Sequence, residues 1–444
     1  MKKLKITLLV LLAILAITVF FQYPKLNIIS GYSSKYLVSQ VFISGRQAES
    51  VKAADLSVPL IKLANAEIDL DSKGAEASVF GLKKRRAIFR DGLGGLLLND
   101  DYELEDDYPK PIRDIKFDSL PYPLGHLPEK DSLFSEIDYP KLEAAVDLAF
   151  KDPEIQKTRT MLVIYKDHVV AERYVDGFGP DTPVLGWSMS KSVLATLYGI
   201  LEYQGRIELN SPAPIMSWQQ DSRKNITLNH LLRMQSSLAW DEDYNSLSDV
   251  NRMLFMSEDM SQSQETKEPL GKPGDIWNYS SGTTNLLSGI LRKHSGSYQE
   301  YLNLPYRELA DKIGMHSMLI ETDKAGNFVG SSYAWASTRD WGKFGLLYLH
   351  NGNWNGEQLF DETWVEYITR PTDHSDGTYG AHFWLNAGGM YAGVPRDLYM
   401  ANGYQGQHVF IIPSKDLVIV RTGLAEYPEF DLHTFLAEIV AAFP

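Results

Sequence analysis

The sequence predicts an α+β fold in which helices flank a sheet whose first and last parts pair. The pattern over Thr160–Tyr174 predicts a β-hairpin near the start of the main body. Near the end, strands are predicted at Val409–Ile412 and Leu417–Arg421, joined by the turn at 413–416. Because helical segments lie between these two ends, we expect a mixed sheet whose first and last parts pair and which is flanked by helices.

Apolar residues at helical spacing predict the covering helices. One helix is expected over Tyr139–Phe150, and a second from Ser188 to Gln204, where Gly205 supplies the residue that commonly ends a helix. Further helical runs cover Thr284–Leu291 and Leu432–Phe443. Regular segments therefore begin at residue 139.

The residues before 139 have a different texture. Short apolar runs at Val38–Ile43 and Ala77–Leu82 are followed by an acidic stretch over 100–107 and a proline-rich stretch over 109–128. Such compositions are typical of a small module followed by an extended linker. We therefore divide the chain into residues 1–23, an N-terminal extension and linker over 24–138, and a main domain over 139–444.

The composition excludes some functions. The chain has 444 residues and a formal charge of −14, which argues against a nucleic-acid partner because phosphate binding needs clustered cations. It contains no cysteine, so disulfides, thiolate catalysis and cysteine-ligated zinc are excluded. Its ten histidines include no His-Glu-x-x-His pair, and we expect neither a metal nor another cofactor.

The first residues have the pattern of an export signal. Lys2, Lys3 and Lys5 precede an uncharged apolar run over Ile6–Phe21. Bulky residues follow the run where a cleavage site would need small ones, so an uncleaved membrane anchor is favoured over a cleaved signal. The main domain is then expected outside the cytoplasm, periplasmic or extracellular, or secreted if cleavage occurs. A buried helix of a cytosolic protein is the alternative.

Ser188 and Lys191 form the only Ser-x-x-Lys pair in the chain, at a predicted helix start. Residues three apart share one helix face, so the two side chains are within hydrogen-bonding reach. A serine nucleophile needs an adjacent base, and a lysine can serve because burial disfavours its charged form. The N–H of Ser188 can also stabilise an oxyanion. The alternative is a capped helix with a solvated lysine.

Two later stretches carry further candidates. Tyr279 and Ser281 lie in a turn-rich stretch before the run Thr284–Leu291, on a loop that can present a phenol as a second acid/base. The stretch Ala401-Asn402-Gly403-Tyr404 leads into the strand at Val409, where a backbone N–H of Tyr404 can complete an oxyanion hole.

In this order the three stretches resemble the serine β-lactamase and penicillin-binding protein superfamily. The resemblance is to its class C-like branch, with family VIII esterases and 6-aminohexanoate-dimer hydrolases, and it runs from about residue 158 to the C-terminus. It implies an antiparallel sheet with a helical subdomain. It also implies that Ser188 is the nucleophile, Lys191 its proton acceptor, Tyr279 the tyrosine of the second motif and Gly403 the glycine of the third.

Two departures from the superfamily pattern bear on the substrate. Ser281 stands where β-lactamases usually carry Asn, and Ala401-Asn402-Gly403 stands where they carry Lys-Thr-Gly. The lysine that would engage a β-lactam carboxylate is therefore missing, which favours small esters or linear amides as substrates. Arg421, on a neighbouring predicted strand, is a candidate to restore that carboxylate site.

Several alternatives stay open. A β-lactamase or D-Ala-D-Ala peptidase is one, and a catalytically inactive recognition protein of the same fold is another. An α/β-hydrolase is disfavoured because Gly186-Trp187-Ser188-Met189-Ser190 lacks the final glycine of the Gly-x-Ser-x-Gly motif. Ser281, Gly403, Trp187 and Trp277 flank the motifs and are the predicted substrate-binding residues. The oligomeric state is not predicted.

Overall fold

The structure is a computed structural model that describes residues 22–98, 108–130 and 132–444, together with Ile6, Thr7 and Leu11. The predicted membrane segment over 6–21 and the acidic stretch over 100–107 lie almost entirely outside the described residues. In the part of the chain that is described, no helix combines the length and the apolar character needed to cross a bilayer.

Helices and strands occur both before and after residue 139 in the described residues. The helices are α1 Lys25–Phe42, α2 Ala48–Ala54, α3 Tyr139–Phe150, α4 Pro153–Gln156, α5 Met189–Tyr203, α6 Leu228–Leu232, α7 Asp249–Met256, α8 Gln262–Glu265, α9 Ser281–His294, α10 Tyr298–Pro305, α11 Thr338–Leu349, α12 Glu362–Thr369 and α13 Leu432–Val440. The strands are β1 Ala64–Asp69, β2 Gly74–Val79, β3 Leu82–Arg90, β4 Gly94–Leu97, β5 Thr158–Tyr165, β6 His168–Tyr174, β7 Pro183–Leu185, β8 Leu319–Ile320, β9 Ala334–Ser337, β10 Asn353–Trp354, β11 Glu357–Gln358, β12 Trp384–Leu385, β13 Tyr399–Gly403, β14 Gln407–Ile412 and β15 Leu417–Gly423.

Contacts within the chain define two units. The smaller comprises residues 1–106, 241–260 and 323–325, and the larger comprises residues 107–240, 261–322 and 326–444. Residues 107–138 thus belong to the larger unit, where Arg113 binds Asp311 through a 2.6 Å ion pair. The predicted boundary between the linker and the domain that begins at residue 139 stays a prediction.

The smaller unit contains an antiparallel sheet, β1-β2-β3-β4, against which helix α1 packs. The apolar face of α1 is buried through Ile29, Leu37 and Val38. A buried ion pair between Arg46 and Asp55, 2.6 Å apart, fastens the chain that follows α1. This region therefore has its own small core.

The larger unit is built on a six-stranded sheet with the order β12-β13-β14-β15-β5-β6. Its strands pair antiparallel throughout, as the resemblance implied, so the expectation of a mixed sheet was wrong. Strand β15 pairs with β5, which confirms that the first and last parts of the domain meet. The α+β class and the predicted hairpin over Thr160–Tyr174 are likewise confirmed.

Both faces of the central strands are covered by helices. Met161 and Val163 of β5 face a core that also contains residues of α3 and α13. Leu162 and Ile164 face α11, where a Cβ at Gly342 would lie 2.7 Å from Leu162. Alternate residues of a strand point to opposite faces, which explains why all eight residues of β5 are buried. The sheet thus gives the site a rigid support.

Candidate active site

The nucleophile loop connects strand β7 to helix α5. Trp187 has a left-handed backbone (φ 47°), which turns the chain sharply between the strand and the helix. Ser188 follows as the N-cap of α5 and is half-buried. The turn is closed because the N–H of Lys191 donates to the carbonyl of Ser188 at 3.0 Å. The helix starts one residue after the predicted position, with Ser188 at its entrance.

Ser190 lies beside the candidate nucleophile but has a structural role. Its hydroxyl donates to the carbonyl of Trp187 at 2.6 Å and accepts from the N–H of Ala334 at 2.8 Å. Both bonds are buried and fix the strained residue before Ser188. Ser190 is therefore a support of the loop.

Lys191 brings the first two motifs together. Its Nζ lies 2.9 Å from Ser188 Oγ, 2.9 Å from Ser281 Oγ and 2.9 Å from the carbonyl oxygen of Ser331. The side chain is only 2% exposed. Three oxygens match the three N–H bonds of an ammonium group. After losing one proton, the amine can keep two of these bonds and accept the proton of Ser188.

The second motif lies at the entrance of helix α9. Ser280 is the N-cap, and its Oγ accepts from the N–H of Thr283 at 2.9 Å. Ser281, expected on the loop, is instead the first helical residue and is fully buried, which directs its hydroxyl to Lys191. The ring centroid of Tyr279 lies 4.9 Å from Lys191 Nζ. Ser281, which by the resemblance stands in place of the usual asparagine, thus contacts the lysine.

The third motif adjoins the nucleophile loop. A Cβ at Gly403 would lie 2.1 Å from the carbonyl oxygen of Gly186, so only glycine permits this approach. The ring of Tyr404 meets that of Trp187 edge to face at 5.7 Å between centroids. The predicted oxyanion donors, the N–H groups of Ser188 and Tyr404, therefore belong to adjacent segments, and their role stays a prediction.

Arg421 supports the turn after Gly403. Its side chain is fully buried. Its guanidinium donates at 2.7 to 3.4 Å to neutral oxygens, those of Gln156, Thr158, Gln405, Gly406 and Ala425. Burial and then the charge of Arg159 lower the pKa of Arg421 to about 9, which leaves it cationic at neutral pH. The suggestion that Arg421 restores a substrate-carboxylate site was wrong, because these oxygens occupy its donors.

The predicted aromatic residues fall into two clusters. Trp187 contacts Tyr404 and Tyr333 and is 6% exposed. Trp277 is half-buried and belongs to a second cluster, formed by Trp277, Tyr279, Tyr379 and Trp384. Within the described residues the indole N–H of Trp277 has no hydrogen-bond partner. The second cluster therefore contains the predicted acid/base Tyr279, whereas the first contains Tyr404.

Two supporting residues escaped the sequence analysis. The carbonyl of Ser331 accepts a hydrogen bond from Lys191. His382 joins helix α9 to the end of helix α6, through Thr284 Oγ1 (3.0 Å) and the Leu232 carbonyl (2.6 Å). Burial, and to a smaller extent the charge of Lys191, lowers the pKa of His382 to about 3. His382 is therefore neutral, and because Nδ1 faces a carbonyl, it is the protonated nitrogen.

The site does not resemble a metal centre. Among the residues that the structure describes, no three histidine or acidic side chains are grouped so that they could hold a metal ion.

Known proteins are similar to this chain in sequence and in fold. The chain is 26% identical over 326 residues to a 6-aminohexanoate-dimer hydrolase of Paenarthrobacter ureafaciens, a match that covers 64% of this chain and 78% of the relative. The fold is similar to that of a family VIII carboxylesterase (TM-score 0.55, 15% identity, 70% of this chain and 98% of the other). It is also similar to a D-stereospecific amidohydrolase from Streptomyces sp. (TM-score 0.52, 14% identity, 68% and 99%). Since the family model described as Beta-lactamase matches residues 155–439, more than half of the sequence, the chain belongs to the β-lactamase family of serine hydrolases.

Proposed function

We propose that this serine hydrolase cleaves small esters and linear amides through an acyl-enzyme on Ser188. The observation that carries the proposal is the position of Lys191 Nζ, 2.9 Å from both Ser188 Oγ and Ser281 Oγ. A buried amine that touches the serine hydroxyl is a base in place for nucleophilic attack.

The reaction follows from this geometry in two halves. Lys191 accepts the proton of Ser188 as Oγ attacks the carbonyl carbon, and the N–H groups of Ser188 and Tyr404 bind the resulting oxyanion. The proton then passes to the leaving alcohol or amine through Lys191 and Tyr279. Water attacks the acyl-serine in the second half, with the same groups taking and returning its proton, and releases the carboxylic acid.

The substrate class rests on the third motif. Ala401 and Asn402 supply no cation, and Arg421 is committed to the turn. A charge-assisted hydrogen bond to a substrate carboxylate is worth about 1.5 to 3 kcal/mol, so its loss weakens β-lactam binding about ten- to a hundredfold. Esters and linear amides need no such anchor, which is in keeping with the 6-aminohexanoate-dimer hydrolase and carboxylesterase among the similar proteins. Trp277, Trp187, Ser281 and Gly403 are proposed to contact the substrate.

A substrate panel tests this proposal. Short-chain nitrophenyl esters, linear amide oligomers, D-Ala-D-Ala peptides and nitrocefin are assayed with the wild-type chain and with Ser188→Ala. Turnover of esters or linear amides that depends on Ser188, with weak or absent nitrocefin hydrolysis, is the expected result. Efficient nitrocefin hydrolysis without esterase activity would assign the chain to the β-lactamases. No turnover, together with no labelling of Ser188 by a fluorophosphonate, would indicate an inactive recognition protein.

The proposed location depends on the sequence before residue 22. Three lysines followed by the apolar run over 6–21 are proposed to export the chain and to hold the catalytic domain outside the cytoplasm. Sixteen residues span roughly 24 Å as a helix, short of a bilayer core of about 30 Å, so the flanking lysines would reach to the interface. Recovery of the full chain in the carbonate-washed membrane fraction tests this location.

A further inference from the structure

One end of the smaller unit exposes a group of large apolar side chains. Their exposed fractions are 54% for Leu60, 41% for Leu63, 78% for Phe80 and 47% for Leu82. Strand register brings them together, because Val79 pairs with both Ala64 and Leu82. The residues before β1 and the β2–β3 turn therefore lie at the same end of the sheet. We call Leu60, Leu63, Phe80 and Leu82 the apolar tip.

Two residues of the tip are held in strained backbone conformations. Phe80 (φ 53°) and Gly81 (φ 76°) form a tight two-residue hairpin turn, a conformation for which Asn-Gly is the usual sequence. Leu60 also has a positive φ of 68°. Such conformations cost on the order of 1 to 3 kcal/mol each for bulky residues. Side chains that are 54% and 78% exposed, those of Leu60 and Phe80, recover little of this cost by packing within the smaller unit, and a surface that covered them would supply that packing.

The chain segments that form the apolar tip carry positive charge. Segments 57–66 and 77–86, which form the tip and its flanks, contain no carboxylate. They carry Lys62, Lys83, Lys84, Arg85 and Arg86. Of these, the exposed Lys84 pairs with Glu76 at 2.5 Å, whereas Lys62 is exposed and forms no ion pair within the described residues. A partner with anionic groups at its surface and an apolar layer beneath them matches this pattern.

The apolar tip lies where the chain leaves its apolar N-terminal run. Lys83 Nζ lies 4.7 Å from the ring centroid of Tyr23, just before helix α1 begins. The apolar run ends at Phe21, two residues earlier. Covalent geometry limits a two-residue spacing to about 7 Å. Any bilayer that holds the run is therefore within reach of the tip.

We propose that the apolar tip inserts into the headgroup region of an anionic lipid bilayer and holds the smaller unit against the membrane. Phe80 and Leu82 would enter the boundary between headgroups and acyl chains, about 5 to 10 Å deep. Lys62 and Lys83 would contact lipid phosphates, and a cation near such a surface contributes about 1 kcal/mol. This contact adds to the proposed anchor and is independent of the hydrolysis reaction.

The absence of cysteine from the chain permits a direct test. Phe80→Cys and Leu82→Cys each place one label at the tip, and Leu70→Cys is the matched control. Leu70 is 65% exposed at the opposite end of the β1–β2 hairpin, after the pair Asp69–Gly74. The full-length variants carry an environment-sensitive fluorophore and are reconstituted in phosphatidylglycerol or phosphatidylcholine vesicles with spin-labelled lipid. Circular dichroism and thermal melting in detergent check that each variant is folded.

We expect lipid quenching of at least about twofold at positions 80 and 82, and none at position 70. Quenching at the tip should fall when Lys62→Glu and Lys83→Glu are added in phosphatidylglycerol, but not in phosphatidylcholine. Equal, water-like emission at all three positions would overturn the proposal, as would failure of the full chain to float with vesicles. A blue shift at the tip without lipid quenching would identify a protein partner, including a second copy, and would also overturn it.

Discussion

On the nucleophile side of the candidate site, Lys191 lies 2.9 Å from the hydroxyls of Ser188 and Ser281, and the groups needed for acyl transfer are in contact. On the third-motif side, Ala401 and Asn402 bring no charge, and the buried Arg421 donates to backbone carbonyls of the turn after Gly403. In this chain a lysine thus contacts two serine hydroxyls on one side, whereas the third motif on the other side offers no cationic side chain. Under the proposed function, the first side carries out acyl transfer and the second favours substrates without a carboxylate.

The sharpest way to break this comparison is to remove the nucleophile. Ser188→Ala should lower kcat about 10⁴-fold or more while the chain stays folded, because it removes the bond-forming oxygen from a half-buried position. Ser190→Ala is the matched control, since it removes two loop hydrogen bonds and should cost far less activity. Steady-state ester hydrolysis and thermal melting measure both. Equal activity of the two variants would show that the nucleophile is misassigned.

Removal of the proton-transfer groups should have the next largest effect. Lys191→Ala and Tyr279→Phe should each lower kcat about 10²-fold or more, and the double variant should lose much less than the product. The reason is that the Tyr279 ring lies 4.9 Å from Lys191 Nζ, so the two residues act as one unit. A double-mutant cycle on kcat measures the coupling. Losses that multiply would refute a shared network.

Gly403→Ala tests whether the two sides of the site depend on each other. The new Cβ would lie 2.1 Å from the Gly186 carbonyl oxygen and must displace the nucleophile loop or strand β13. We expect about ten- to a hundredfold lower kcat/KM, since small misplacements of reacting groups are costly. Gly179→Ala is the control, because its nearest neighbour would be 3.9 Å away. Wild-type kinetics in Gly403→Ala would show that the strand edge does not position Ser188.

Arg421→Lys should have the smallest effect and sharpens the role of the third-motif side. Lysine keeps the charge but loses the planar fork that fixes the turn through Gln405 and Gly406. We expect kcat to fall about tenfold with little change in KM, because the turn carries a proposed oxyanion donor. Inhibition constants for a boronate that mimics the oxyanion should rise in parallel. A change confined to KM for anionic substrates would return Arg421 to the role of carboxylate anchor.

The sequence predicted those parts of the site that depend on short spacings. Ser188 and Lys191 are three residues apart on one helix, and helix geometry alone brings them together. The paired ends of the sheet followed from strand patterns and turn residues. Tyr279 and Gly403 could be placed in the site only by resemblance. Their partners, Lys191 and Gly186, are far away in the sequence.

Other features had no sequence signal. The acceptor carbonyl of Ser331 is a backbone atom, which any residue provides. His382 and Arg421 are isolated polar residues whose partners are mostly backbone carbonyls, so no motif marks them. The direction of Arg421 in particular is decided by which face of strand β15 meets the turn. A one-residue change of strand register would reverse it, and composition does not fix that register.

The pairing of β5 with β15 has a consequence for synthesis of the chain. Leu162 is paired with Val420, about 260 residues later, and at 5 to 20 residues per second these strands emerge roughly 10 to 50 s apart. During that interval β5 has β6 on one edge and nothing on the other, although all its side chains are destined for the interior. An unpaired apolar edge invites aggregation. The central sheet therefore cannot be completed, and the site that it supports cannot form, before the last strands have been synthesised.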